Sequence, residues 1–221
     1  MKALEVKARV LIVDDHPIVR QGLVQLLNCE PDFMVCGEAA DARKALSAIV
    51  ETKPDVGIVD ITLHGTNGIE LIKNIVAQWP NFPVLVLSMH DESLYAERAL
   101  RAGAKGYVMK QEAPEKLTEA LRRILNGQIY VSEKLSNKMM HRAIDGKNLE
   151  NTSPVANLSD RELEVLQLIG QGHGTRQIAE DLGLSVKTIE SHRAHIKEKL
   201  TLKTAPEMVR FAVQWVSQGV L

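Results

Sequence analysis

The sequence predicts an α/β protein in two parts: a doubly wound, five-stranded parallel sheet, followed by a small all-α domain of four helices. Two observations support this fold class. Short apolar runs alternate five times with helix-like segments over the first 130 residues, whereas helix patterns alone fill the chain from residue 158 onward. Strands that alternate with helices through short connections are parallel, with right-handed crossovers.

The predicted strands are short, near-continuous apolar runs, which is typical of strands covered on both faces. They occupy residues 9–13, 55–59, 84–87 and 106–109, and a weaker run occupies residues 34–36. The segments between them carry apolar residues at the spacing of an amphipathic helix. These residues include Ile18, Leu23, Leu26 and Leu27; Ala42, Ala45 and Ile49; Ile69, Ile72 and Ile75; Leu94, Ala99 and Leu100; and Leu117, Leu121 and Ile124.

Length and composition divide the chain into two domains. A chain of 221 residues suits two domains better than one. Residues 1–130 form the predicted first domain, residues 158–221 the second, and residues 131–157 a linker. The linker begins with a polar segment that can form a helix over 132–144, and it continues as a flexible stretch rich in turn formers.

The first three helices of the second domain each begin near a hydroxyl residue suited to an N-cap. Ser159 precedes Glu162 at the spacing of a capping box, Thr175 precedes the second helix, and Ser185 precedes a third helix that runs to about Leu200. Two short helices joined by a few residues that include glycine, the second of them basic, indicate a helix-turn-helix.

The composition excludes several classes of protein. No run approaches the ~18 apolar residues of a membrane span, and residues 1–7 do not form a signal peptide. We therefore expect a cytoplasmic protein with no membrane partner. Cys29 and Cys36 are too few for a disulfide framework, and we interpret them as small core residues. Since the net charge is −1, any contact with nucleic acid requires a local basic patch.

Five polar residues lie at or just past the ends of predicted strands: Asp14, Asp15, Asp60, Ser88 and Lys110. The carboxyl ends of parallel strands open on one edge of the sheet, where open α/β folds bind their ligands. Clustered carboxylates repel each other unless a cation lies among them, and Mg²⁺ takes oxygen ligands from carboxylates and phosphates. The sequence therefore predicts a pocket for a phosphoryl group and Mg²⁺.

These residues belong to longer motifs. The first half of the chain contains Asp14-Asp15-His16-Pro17, Asp60, Ser88-Met-His-Asp, Ala102-Gly-Ala-Lys-Gly-Tyr107 and Lys110. The second half contains Leu158-Ser-Asp-Arg-Glu162, Gln177-Ile-Ala-Glu-Asp-Leu and Ser185-Val-Lys-Thr-Ile-Glu-Ser-His-Arg. The first group resembles the receiver domain of NarL/FixJ-type two-component response regulators. The second group resembles their LuxR-type helix-turn-helix domain.

The resemblance implies a flavodoxin-like receiver with strand order 2-1-3-4-5. It implies that Asp60 accepts a phosphoryl group from a sensor histidine kinase. It also implies that Asp14, Asp15, Asp60 and the backbone carbonyl of Thr62 hold Mg²⁺.

The resemblance also implies roles for three further residues: Lys110 and Ser88 in catalysis, and Ser88 and Tyr107 in the switch. Lys110 would pair with the phosphoryl oxygens, Ser88 would hydrogen-bond to the phosphoryl group, and Tyr107 would turn inward behind it. Phosphorylation would then change dimerisation or the exposure of the DNA-binding domain. The protein is not expected to be an enzyme beyond catalysing its own phosphorylation and dephosphorylation.

Basic residues crowd the third helix of the second domain and its exit. Such a charged face is often merely solvated, but on the second helix of a helix-turn-helix it is the recognition surface for double-stranded DNA. Glu190 either accepts a hydrogen bond from a cytosine or repels phosphate and fixes register. By resemblance, the base-facing residues are Glu190, Ser191 and Ala194, and the phosphate-facing residues are Lys187, Thr188, Arg193, Lys197 and Lys203.

The fourth helix, over 204–215, carries two apolar stripes. One contains Met208 and Ala212 and closes the core; the other contains Val209 and Val213. Helices at this position dimerise in the resembled family, which implies a homodimer on a two-fold operator when the protein is phosphorylated. The alternative is that every apolar residue here belongs to the domain core. RNA polymerase is a further candidate partner.

Two departures from the family pattern concern loops. His64-Gly65 stands where the family often has Pro-Gly, so we expect a more mobile loop. His64 and His90 raise a metal-binding alternative, although exposed loop imidazoles are favoured because no third nitrogen or sulfur ligand lies nearby in sequence. His90 could influence how water reaches an aspartyl phosphate, since it follows Ser88 by two residues.

Three other functions fit the sequence less well. Phosphatases of the haloacid dehalogenase type carry their nucleophile in an Asp-x-Asp after the first strand, whereas Asp14 and Asp15 are adjacent and Asp60 follows the third. An FMN-binding module needs a phosphate loop rich in glycine and hydroxyls after the first strand, where the aspartates would repel the phosphate. A regulator that works without phosphorylation would not need a complete acidic pocket.

Overall fold

The structure, a computed structural model, describes residues 7–144 and 154–218. The chain packs as two compact units, Met1–Met139 and Met140–Leu221. Within the described ranges, none of the helices combines the length and the apolar character that a membrane span requires.

The first unit contains the predicted sheet. In chain order, residues up to 144 form β1 (Ala8–Val13), α1 (Pro17–Asn28), β2 (Phe33–Ala39), α2 (Ala42–Thr52), β3 (Val56–Val59), β4 (Thr62–Leu63), β5 (Thr66–Asn67), α3 (Gly68–Gln78), β6 (Val84–Ser88), α4 (Glu92–Arg101), β7 (Gly106–Met109), α5 (Ala113–Leu125) and α6 (Glu133–Ile144). Five strands pair in parallel in the order β2-β1-β3-β6-β7, and β4 and β5 form a separate antiparallel hairpin. Counted without the hairpin, this order is 2-1-3-4-5, so the predicted fold is confirmed.

Burial on both faces of the sheet explains the continuous apolar runs. All four residues of β3 are buried, and residues at successive positions of β1, such as Leu11 and Ile12, are equally buried. Strands in a two-sided sheet have no solvent face, so alternation of polar and apolar residues disappears. On one face the core contains Val10, Ile12, Ile58, Leu85 and Leu87 from the strands, with Leu23, Leu27, Leu117, Leu121 and Ile124 from α1 and α5.

The first unit continues beyond residue 130, where the sequence prediction ends the first domain. The backbone N–H of Tyr130 donates to the carbonyl of Lys105, and the Tyr130 carbonyl accepts from the N–H of Tyr107, each at 2.9 Å. Leu135 of α6 is also buried. Backbone pairing and a single buried leucine leave little trace in composition. The sequence therefore places the end of the first domain too early, at residue 130.

The second unit is helical, as predicted. Its elements are a 3₁₀ helix at Pro154–Asn157, α7 (Asp160–Gly170), α8 (Thr175–Asp181), α9 (Val186–Lys199) and α10 (Ala205–Gln218). Each helix contributes to one apolar core. The core residues include Leu163, Leu166, Ile169, Ile178, Ile189, Ile196, Met208 and Ala212.

Two of the three predicted helix caps are confirmed. The Ser159 side chain accepts from the backbone N–H of Glu162, and the Glu162 carboxylate accepts from the N–H of Ser159, which completes the capping box. Ser185 caps α9. The assignment of Thr175 as a cap is wrong: Gly174 is the N-cap of α8, without a side-chain bond, and Thr175 is the first helical residue. Glycine is acceptable at this position.

The predicted linker is shorter at its carboxyl end than the sequence indicates. Residues 145–153 lie outside the described residues. Residues 154–157, predicted as flexible, form the 3₁₀ helix, and Val155 and Leu158 are buried. Val155 is the buried residue that the linker prediction missed, because its neighbours are turn formers.

A close backbone contact at Gly68 holds the segment that follows Asp60. The N–H of Gly68 donates to the carbonyl of Ile61 at 2.6 Å, and a Cβ at Gly68 would lie 2.0 Å from the backbone oxygen of Asp60. The neighbouring atoms are backbone and cannot move aside as a flexible side chain does. The position therefore requires glycine.

We predict that Gly68→Ala lowers the free energy of unfolding by at least about 1–3 kcal/mol, the usual cost of overpacking. Gly22→Ala is the matched control, because a Cβ at Gly22 meets nothing within 4 Å and alanine should stabilise α1 by about 0.4–1 kcal/mol. Urea unfolding followed by circular dichroism measures both. Equal effects of the two substitutions would contradict the steric account.

Candidate functional site

Three carboxylates meet at the carboxyl edge of the sheet. Asp14 and Asp15 follow β1 and Asp60 follows β3, and the N–H of Asp60 donates to the carbonyl of Val13 at 2.9 Å. One ligand atom each from Asp14, Asp15, His16 and Asp60 lies within 4.8 Å of the others. Asp14 and Asp60 are almost completely buried. The predicted acidic pocket is therefore formed by adjacent parallel strands.

Lys110 provides the opposite charge inside this pocket. It follows β7, and its Nζ lies 2.6 Å from Oδ2 of Asp14 and 2.6 Å from Oδ2 of Asp60. The lysine side chain is only 9% exposed. Burial alone lowers the pKa of Lys110, but the two carboxylates outweigh it and raise the pKa above its ordinary value.

Burial also controls the charge of Asp60. Burial, together with a smaller contribution from nearby Asp14, raises the pKa of Asp60 to about 6 against the opposing effect of Lys110. The N–H of Thr62 donates to Oδ1 of Asp60 at 3.3 Å. A carboxyl group with this pKa is mostly ionised at neutral pH. Keeping the buried group ionised lowers the free energy of unfolding of the receiver.

His90 joins the loops around the pocket. Its N–H donates to Oγ of Ser88 at 3.2 Å, and its carbonyl accepts from the hydroxyl of Tyr107 at 2.8 Å. Its Nε2 shares a hydrogen bond of 2.8 Å with Oγ1 of Thr62. The imidazole stacks on Tyr95 with ring centroids 4.4 Å apart. One residue thus connects Ser88, Tyr107 and the segment after Asp60.

Tyr107 already occupies the interior of the unit. Its side chain is buried, and burial raises its pKa well above the ordinary value for a tyrosine. The ring points into the receiver, and its hydroxyl donates to the His90 carbonyl.

The second unit presents its candidate DNA contacts around one helix. One side of α9 is buried through Ile189 and Ile196. The exposed residues on the other side are Lys187, Glu190, Ser191 and Ala194. Thr188, Arg193 and Lys197 are half-buried, and the exposed Lys203 lies in the loop before α10. The arrangement places seven of the eight predicted contact residues on α9.

Lys199, the last residue of α9, is paired with a residue of α7. Its Nζ lies 2.7 Å from Oε2 of Glu162. Burial raises the pKa of Glu162, but hydrogen bonds from Lys199 and Ser159 outweigh this and lower it. Lys199 therefore links the end of α9 to the start of α7.

The exposed stripe of α10 agrees with the predicted pattern. Met208 and Ala212 are completely buried, whereas Val209 and Val213 are 40% and 44% exposed. Two valines on one exposed stripe leave apolar surface that the core of the second unit does not use.

Comparisons with known proteins cover both units. Residues 10–122 match the family model of the response regulator receiver domain, and residues 156–212 match that of the bacterial regulatory proteins of the luxR family. The oxygen regulatory protein NreC of Staphylococcus haemolyticus is 39% identical over 210 residues, which are 93% of this chain and 97% of that protein. The chain belongs to the LuxR-type response regulators. It is a phosphorylation-controlled transcription regulator.

Solved structures agree with this membership. A LuxR-family response regulator from Aurantimonas sp. SI85-9A1 superposes with a TM-score of 0.58 at 38% identity, over 62% of this chain and 99% of that chain. RcsB from Salmonella enterica serovar Typhimurium, bound to promoter rprA in the presence of the phosphomimetic BeF₃⁻, has a TM-score of 0.62 at 28% identity, over 94% of this chain and 98% of that one.

Two histidines of the receiver make contacts that the sequence does not predict. His16 joins the carboxylate cluster, with Nδ1 2.7 Å from Oδ1 of Asp15. His90, in the loop after β6, contacts Thr62, Ser88 and Tyr107. Among the described residues, the group positioned to share a metal ion contains His16 and neither His64 nor His90. His64-Gly65 forms the turn of the β4–β5 hairpin, and the His64 N–H donates to Asp15 at 3.1 Å.

The raised pKa of Asp60 predicts a pH-dependent stability. Because the folded receiver holds this proton more tightly than the unfolded chain, the folded state loses stability as pH rises from 3.8, the ordinary value, through about 6. We predict that Asp60→Asn removes this loss and stabilises the protein above pH 6, on the order of 2 kcal/mol. The gain should vanish near pH 4.

Urea unfolding without divalent cations, at about pH 4.5 and about pH 7.5, measures this difference. Asp41→Asn is the matched control, because Asp41 caps α2 by accepting from the N–H of Lys44 at 2.8 Å and asparagine caps equally well. A stability gain for Asp60→Asn that is the same at both pH values would contradict the burial account.

Proposed function

We propose that Asp60 is the phosphoacceptor of this response regulator, that a sensor histidine kinase is the donor, and that phosphorylation controls a dimer that binds DNA through α9. The contact of Lys110 with both Asp14 and Asp60, at 2.6 Å each, carries the proposal. It puts a nucleophilic carboxylate, a cation and an acidic pair in one buried pocket. Such a protein acts in the cytoplasm, where it reaches both a kinase and the chromosome.

The transfer requires an ionised nucleophile and neutralisation of the phosphoryl oxygens. A bond forms between a carboxylate oxygen of Asp60 and phosphorus, while the bond from phosphorus to the donor imidazole nitrogen breaks and that nitrogen keeps the electron pair. Lys110 opposes the effect of burial on Asp60, which keeps the carboxylate ionised near neutral pH. The same ammonium can then pair with phosphoryl oxygens.

The donor set of the pocket fits Mg²⁺. One oxygen each from Asp14, Asp15 and Asp60 lies within 4.8 Å of the others, and oxygen atoms are the ligands that Mg²⁺ prefers. We assign Asp14, Asp15, Asp60 and the backbone carbonyl of Thr62 as the protein ligands. When bound, Mg²⁺ neutralises the carboxylates and the incoming phosphoryl oxygens.

Ser88 and Tyr107 are proposed to report the phosphoryl group. A phosphoryl oxygen accepts a hydrogen bond from the Ser88 hydroxyl more strongly than a neutral group does. The N–H of His90 donates to that hydroxyl and the His90 carbonyl holds Tyr107. Movement of Ser88 toward the phosphoryl group would therefore displace His90, and His90 would displace Tyr107. We propose these three residues as the two-state element of the switch.

The output is proposed to be DNA recognition by a homodimer, with RNA polymerase as a candidate further partner. Lys187, Thr188, Arg193, Lys197 and Lys203 would contact phosphate, whereas Glu190, Ser191 and Ala194 would face base edges. Val209 and Val213 would form the dimer contact, because both valines are exposed on α10. Phosphorylation would change dimerisation, the exposure of α9, or both.

We predict that acetyl phosphate with Mg²⁺ adds about 80 Da to the wild-type chain as a hydroxylamine-sensitive acyl phosphate. Asp60→Asn should fold and show no adduct, because an amide cannot act as the nucleophile. Intact mass spectrometry measures the adduct, and Asp41→Asn should label as the wild type does. An adduct that persists in Asp60→Asn would place the acceptor elsewhere.

We predict that Lys187→Ala weakens binding of the full-length, acetyl phosphate-treated protein to specific and random duplexes alike. Loss of one phosphate contact should reduce the slope of log affinity against log salt by about 0.9. Titrations at several salt concentrations measure the slope. Lys138→Ala, which removes an exposed lysine of α6, is the matched control and should leave the slope unchanged. An unchanged slope for Lys187→Ala would remove Lys187 from the interface.

A further inference from the structure

An exposed apolar residue begins the recognition helix α9. Val186 is the first residue of this helix and is 41% exposed, whereas the buried side chains of α9 are Ile189 and Ile196. Val186 also precedes Glu190 and Ala194 at intervals of four residues. Residues at this interval stand in one ridge along a helix. Val186 therefore extends the proposed base-facing ridge by one turn toward the start of the helix.

The first turn of α9 is held in a defined conformation. Oγ of Ser185 accepts from the N–H of Thr188 at 3.0 Å and shares a hydrogen bond of 2.7 Å with the Thr188 hydroxyl. A capped first turn fixes the direction in which Val186 projects. Lys187, the next residue, is exposed and can fix this end of the helix against a phosphate.

The start of a recognition helix is the part that contacts base edges in the major groove. Valine has no hydrogen-bonding group in its side chain, so it can recognise only an apolar feature of a base pair. Among the four bases, thymine presents such a feature in the major groove, its C5 methyl group. Burying a valine against this methyl removes apolar surface of both groups from water.

We propose that Val186 reads a thymine in the operator through the C5 methyl group. This inference rests on the proposed function, because it assumes that α9 enters the major groove. It adds a determinant of sequence specificity that uses no hydrogen bond and no charge.

Substitution of uracil for thymine tests the contact, since uracil lacks only the methyl group. Full-length protein treated with acetyl phosphate and Mg²⁺ first selects duplexes from a random pool. The selected duplex is then synthesised with uracil at each thymine in turn, and affinities are measured at one salt concentration. At one position in each half-site, uracil should weaken wild-type binding by about fourfold, the equivalent of one buried methylene-sized group.

The variants separate this contact from a general loss of binding. Val186→Ala and Val186→Gln should bind the uracil duplex about as well as the wild type does, and both should lose the preference for thymine at that position. Both residues are good helix formers, so at least one folded variant is expected. Val50→Ala, which truncates a valine that is 62% exposed on α2, should keep the preference.

The inference alone would be overturned by selective binding with no position sensitive to the methyl group, or by a methyl preference that survives in Val186→Ala and Val186→Gln. Failure of the phosphorylated protein to enrich any duplex would instead overturn the proposed DNA interface, and the inference with it. A uniform loss of affinity for thymine and uracil duplexes in both variants would assign Val186 to the stability of the helix start and would reject the base contact.

Discussion

Repulsion among Asp14, Asp15 and Asp60 is the constraint on which the receiver depends. Parallel strands deliver these carboxylates to one edge, and the covering helices bury two of them. Lys110 offsets the repulsion by contacting Asp14 and Asp60 together. Burial still raises the pKa of Asp60. The pocket is thus held in a state whose carboxylate repulsion an additional cation can relieve.

Strand-end residues could be assigned to the site from sequence because the geometry of a parallel sheet determines where they go. Asp14, Asp60 and Lys110 each follow an apolar run, and the fold alone brings them together. The contacts of His90 could not be predicted in this way. They depend on the paths of loops, and a histidine two residues after a strand carries no signal that its carbonyl will meet Tyr107.

The helical domain shows the same division between local and tertiary information. The capping box of Ser159 and Glu162 is a local pattern and was recognised from spacing alone. The ion pair between Glu162 and Lys199 joins residues 37 positions apart, so sequence spacing does not predict it. Gly174 was missed as the cap of α8 because a glycine cap offers no side chain to recognise.

The position of His90 has a consequence for the number of states that the receiver can adopt. Its N–H and carbonyl form hydrogen bonds with Ser88 and Tyr107, and its ring forms one with Thr62. A rotation of this residue would disturb all three bonds at once. Rearrangements in which one of these residues moves alone would leave a buried polar group without a partner and are therefore disfavoured. Such a linkage favours two well-separated conformations of the receiver over a graded series of conformations. A pocket that is only partly stabilised therefore gives a mixture of the two conformations and no intermediate one.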